Sequence, residues 1–145
     1  MTIKRDALSY NLKISVDHGY LLIKALDFYS RIFMGQLGEI EYLVRMEELH
    51  PVEGHKPDLE KVKSLCDELK AEIFGMPQNM SWGIRNTQVG VDAQRAYEIQ
   101  QILRHRLAHD LYPLKPGQWG GVIYDTPMGI TGNPMPELQK LDAPI

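Results

Sequence analysis

Residues 81–110, SWGIRNTQVGVDAQRAYEIQQILRHRLAHD, decide how the chain is read. The stretch opens as a loop carrying a tryptophan and two glycines, turns at Asp92 and continues into a helix. There Ala96, Ile99, Leu103 and Leu107 fall on one side. Glu98, Gln101, His105 and His109 form a polar stripe on another, at the three- and four-residue spacing that makes helical neighbours. The helix ends in Arg104-His105-Arg106-Leu107-Ala108-His109-Asp110, the densest run of ionisable side chains in the sequence. This helix and its entry loop are therefore the expected binding region.

Working outward, Leu59, Val62, Cys66, Leu69 and Ile73 mark a second amphipathic helix, with Pro57 in its first turn and Gly75 and Pro77 closing it. Cys66 lies on the apolar stripe and reads as packing. Further back, Asp17 is the expected N-cap of a helix striped by Leu22, Leu26, Tyr29 and Phe33, with Ala25 and Ile32 beside it. An interior glycine costs about 1 kcal/mol relative to alanine, so Gly35 predicts a kink or break before the pattern resumes at Ile40, Leu43 and Val44. Arg31, Arg45, Glu47 and Glu48 read as solvated, and His50 and His55 as loop surface.

Two regions depart from helical spacing. Tyr10, Leu12, Ile14 and Val16 alternate with Asn11, Lys13 and Ser15, the period of a strand with one wet face. Beyond Tyr112 lie six of the nine prolines, and residues 121–125 and 138–141 have short-strand character around a turn at 130–134. The expected fold is mainly α: a small bundle of three principal helices plus a short β-sheet built from the N-terminal strand and the tail segments. Residues 1–112 form the helical part and 113–145 a Pro/Gly-rich extended arm of the same domain, long enough to reach a neighbouring subunit.

At 145 residues the chain reads as one domain, and 43% hydrophobic with 24% charged residues is ordinary for a globular protein. A net charge of −3 argues against a nucleic-acid coat protein. One cysteine excludes an internal disulfide, and no apolar run reaches the roughly 18 residues of a membrane span. Residues 1–10 lack the apolar core of a secretion signal, so a cytoplasmic location is expected.

The loop residues Trp82, Arg85 and Asn86 combine a stacking face, a cation and an amide, which suits a flat polar ligand and equally suits a tryptophan tucked into the core. Arg85, Arg95 and Arg104 are candidate phosphate forks. His105 and His109, one turn apart beside Asp110, have the spacing of two metal ligands, but no further ligand pair completes a shell and no metal or cofactor is assigned. Phosphate-loop, nucleophile-elbow and dinucleotide fingerprints are absent from the sequence.

Two resemblances add to this. Arg104 and His109, with His105 after the arginine, Leu107-Ala108 between and Tyr112 beyond, resemble the Arg-x4-6-His motif of HEPN-type helical domains. That resemblance implies a metal-independent RNase, with His109 as general acid or base and Arg104 on the phosphate. Here the motif runs into Pro113 and Pro116 rather than into another helix. Over most of its length, through ALDFYSRIFMGQLGEI, Gly83-Ile84, AYEIQQILRHRLAHD and GVIYDTP, the chain resembles small accessory proteins of tailed bacteriophages. That resemblance implies an accessory protein of the kind that often counters host defence, by plugging a host protein or sequestering a nucleotide signal.

The leading expectation is a non-catalytic, homo-oligomeric, phage-type accessory protein of the host cytoplasm. It would bind a small anionic, nucleotide-like molecule through Trp82, Arg85, Asn86, Arg95, Arg104, His105 and His109. A HEPN-like RNase using Arg104 and His109, and a protein-binding inhibitor of a host factor, are the alternatives.

Overall fold

A computed structural model describes residues 8–141 as four α-helices and one short 3₁₀ turn. Helix α1 spans Val16–Phe33, α2 Gly38–Arg45, α3 Leu59–Phe74 and α4 Val91–Leu111, and the 3₁₀ turn is Val122–Tyr124. The break expected at Gly35 is real. The chain leaves α1 through Met34, Gly35 takes the left-handed φ of 81°, and α2 starts three residues later. Arg31 clamps this corner: its Nε donates to Asp27 (2.7 Å), its Nη1 to Gln36 Oε1 (2.8 Å), and Glu39 lies 3.5 Å away. Burial works against its charge, yet Asp27, Glu39 and Tyr97 together hold the guanidinium pKa above its ordinary value. The expectation of a merely solvated Arg31 is thereby corrected, whereas Glu48 is exposed as expected while pairing with Lys24 at 2.9 Å.

Two helix starts differ from expectation by a residue or two. Ser15, not Asp17, caps α1, its Oγ accepting from the His18 N–H (3.3 Å) while Asp17 sits in the first turn, where a negative charge favours the exposed amides. Pro57 precedes α3 rather than opening it; Asp58 is the cap, accepting from Glu60 and Lys61 N–H. Gly75 ends α3 at φ 65°, as its position predicts.

Helices α1 and α4 form the antiparallel frame. Ser30 Oγ reaches across to Ala93 O (3.0 Å) near one end. Near the other, a Cβ at Gly19 would stand 3.1 Å from Leu107 Cδ1, so the glycine permits a close approach there. Helix α3 packs on α2 as a second pair. Where the two pairs meet lies a small core of Met34, Val89 and Ala93, flanked by Trp82 and Ile84.

Among the described residues there is no strand, which overturns the expected sheet. Residues 10–15 form no strand, with Leu12 75% exposed, and Val16 already belongs to α1. Gly121 at φ 87° turns residues 122–124 into the 3₁₀ element instead of a strand. The physical reason is where the tail's backbone groups find partners. Gln101 of α4 holds Met128 by both its peptide groups, Nε2 donating to the carbonyl (3.1 Å) and Oε1 accepting from the N–H (3.2 Å). Glu98 accepts from Thr131 N–H (3.3 Å). Helix side chains thus do for the tail what a neighbouring strand would have done. The arm, expected to be able to reach another subunit, folds back along its own α4: residues 128–131 bond to the helix and residues 138–141 face it across a cleft. The expected turn is present as a bend at Thr131–Asn133, where Gly132 has φ 75°.

Candidate functional site

The C-terminal half of α4 brings three of the expected site residues together. The rings of His105 and His109 lie 4.4 Å apart between centroids, and His109 stands edge-on to Tyr124 at 5.1 Å. Tyr124 is itself held by its hydroxyl donating to Tyr112 O (2.7 Å) and by the bare backbone of Gly120, where any Cβ would overlap its ring. One turn of this helix concentrates enclosed polar atoms. Gln100 Oε1, Arg104 Nε and His105 Nδ1 are buried with no hydrogen-bond partner among the described residues, and Gln100 is only 2% exposed.

The loop residues go elsewhere. Trp82 packs edge-to-face on Phe74 (5.7 Å) and donates its backbone N–H to Met34 O (3.0 Å), beside the core. Of the two roles its sequence context allowed, this is the packing one. Asn86 folds its Oδ1 onto the Gln88 N–H (2.9 Å), and Arg95 pairs with Asp92 (3.1 Å) on the exposed start of α4. Arg85 alone reaches toward the middle of α4, its Nη2 4.0 Å from Met128 Sδ. At 1.5 Å per residue, Arg104 lies roughly 16 Å along the helix from Ala93, against which the tryptophan region packs. Trp82 and the helix end therefore do not share a cavity within one chain.

The cavity at this end of the molecule lies on a different side of α4. It has a volume of about 530 Å³ and sits between residues 12–16, the face of α4 bearing Leu103, Leu107 and Leu111, and residues 138–141. The two segments expected to pair as strands thus form walls of one cleft. Its polar lining is Lys13, Ser15, Arg106, Asp110, Gln139 and Lys140, with Arg106 Nε donating to Asp110 Oδ2 at 2.9 Å. Sequence reasoning missed Lys13, Arg106 and Lys140. Arg106 could have been found, since it stands in the expected cluster; the lysines come from distant stretches with no shared motif. A second cavity of about 320 Å³, between α2, α3 and residues 78–81, sets Glu39, Glu41 and Asp67 against Lys63 and Lys70. Its balance of charge is acidic, that of the first basic.

Among the described residues no three His, Cys, Asp or Glu side chains are placed to hold a metal ion, so the histidine pair lacks the further ligands a site needs. Nor is any described helix long and apolar enough to cross a membrane. No family model, curated protein or solved structure matches the chain.

Proposed function

We propose that the protein binds and sequesters a small anionic, nucleotide-like molecule without transforming it, in the cleft between residues 12–16, α4 and residues 138–141. One observation carries this. In a chain of net charge −3, that cleft gathers Lys13, Arg106 and Lys140 with, among the described residues, the one carboxylate Asp110, above a leucine floor. Asp110 fixes the Arg106 side chain through one nitrogen and leaves others for phosphate oxygens, a match of planar fork to oxyanion. Apolar walls reduce the screening of those charges by water, and about 530 Å³ is within the range of small-molecule sites. Ser15, the one hydroxyl in the lining, is occupied as the cap of α1. The functional unit in this reading is a homo-oligomer. The resemblance to phage accessory proteins extends it: the captured molecule is a host-defence signal, held rather than cleaved.

The test is thermal unfolding in the presence of mixed ribonucleotides, followed by heat release and chromatography. A ligand at a hundredfold its Kd adds about 2.7 kcal/mol, worth roughly 5–10 °C for a chain of this size. The stabilisation is expected to vanish in the Lys13→Glu, Lys140→Glu double variant, and the nucleotide to be recovered unchanged. Chemically altered nucleotide would make the protein an enzyme. RNA degradation abolished by His109→Ala would favour the RNase instead, and no stabilisation by any nucleotide would leave the host-protein plug.

A further inference from the structure

Helix α1 carries more apolar surface than the described residues cover. Only Gly19 and Ser30 are fully buried along its length. The edge bearing Lys24 and Arg31 turns toward α2 through ion pairs to Glu48 and Glu39. What remains is a row of Leu21, Ala25, Tyr29 and Phe33, one residue in every four, all exposed and with Leu21 at 61%. Leu22 and Ile32 flank the row half-buried. Residues four apart form the ridge that seats in the matching groove of a second helix, at a crossing of about −50°.

The chain also exposes more surface than a compact monomer of its mass. A compact monomer of 16.6 kDa exposes roughly 7,600 Å², whereas this chain exposes 11313 Å². Granting residues 1–7 and 142–145 the largest area their mass permits, roughly 1,800 Å², still leaves a surplus on the order of 2,000 Å². A standard interface removes about 800 Å² per partner and an obligate homodimer more. A standard interface through α1 removes less than half of that surplus; residues 8–13 and most of 113–119 are exposed and carry part of the rest.

We propose that a second copy of this chain covers the ridge, the two α1 helices crossing antiparallel at Ala25 about a two-fold axis. A two-fold contact must be self-complementary, and this row is. Ala25, its smallest side chain, lies between Leu21 on one side and the Tyr29 and Phe33 rings, 4.7 Å apart, on the other. Antiparallel crossing at the alanine lets the backbones approach closely and sets the leucine end of each ridge beside the aromatic end of its mate. The seam rests on the homo-oligomeric part of the function proposed above and is independent of the anion cleft.

Light scattering on the full-length protein at tens of micromolar is expected to give a multiple of the 16.6 kDa chain mass. In the Ala25→Cys variant, mild oxidation is expected to yield a reductant-sensitive species of twice the chain mass, because a two-fold axis brings the two thiols into bonding range. Lys24→Cys, on the neighbouring edge that faces α2, is expected to stay uncrosslinked, and the wild type, whose Cys66 is buried, likewise. Ala25→Arg is expected to reduce the mass to that of one chain; if that variant fails to fold, the crosslinking pair decides. A wild type of single-chain mass overturns the seam. So does an oligomer in which Ala25→Cys does not crosslink, or in which Lys24→Cys crosslinks equally well; nucleotide binding is read separately in each.

Discussion

Cys66 shows how far a single position can be understood from its neighbours in sequence. Its place on the stripe of Val62 and Leu69 marks it as packing, and it is 6% exposed against α2. Burial pushes its thiol pKa up, only partly opposed by a hydrogen bond to the Glu41 backbone. The folded state therefore keeps the proton at a pH where the unfolded thiol, at about 8.5, releases it. That contribution to stability is complete below about pH 8.5 and is lost as the pH rises through the folded value. The unfolding midpoint is expected to fall more steeply above that pH in the wild type than in Cys66→Ala. Alkylation of the folded protein is expected to be at least about tenfold slower than of the denatured chain. Parallel midpoint curves for the two proteins would show that the thiol is not linked to folding. Trp82 is the contrasting case. Its loop context allowed both a stacking platform and a core plug, and only the approach of Phe74 and Met34, remote in the chain, separates them.

The helices were legible because each announces itself through local spacing and local stops: Gly35, Gly75 and the long pattern after Gly90 all mark real boundaries. The tail was not. Alternation in residues 10–16 and 121–125 describes backbones that want extended partners, but not which groups supply them. In α4 the polar stripe of Glu98 and Gln101 resembled a solvent- or ligand-facing surface, yet the two residues are 2% and 6% exposed. They are the docking strip for residues 128–131. Gln101→Ala removes both bonds to Met128 and leaves that peptide to water or to nothing. A loss of about 1–3 kcal/mol in unfolding free energy is expected, with faster amide exchange at Met128 and Thr131. Unchanged exchange there would mean the tail is held by something other than this amide.

At the level of the assembled chain, the apolar stripes of α1 and α3 are real stripes that the described residues leave partly open. Tyr29, Phe33, Leu69 and Ile73 all remain exposed, because α1 meets chiefly α4 and α3 meets chiefly α2. If a second copy completes α1, folding and association are one equilibrium. The unfolding midpoint should then rise by about 2 °C with each tenfold increase in protein concentration. Ala25→Arg should flatten that dependence, whereas a concentration-independent wild type would mark a self-sufficient monomer.

The order of residues alone determined the helices, the break at Gly35 and the basic end of α4, since propensities, caps and periodicity act within a few positions along the chain. It could not determine that Lys13 and Lys140 come to share a cleft with Arg106, that the tail lies on Gln101 rather than on a strand, or that Trp82 serves the core. Those outcomes depend on which distant groups meet once the helices pack, where a hydrogen bond or an apolar contact is decided by position in space and not by separation in sequence.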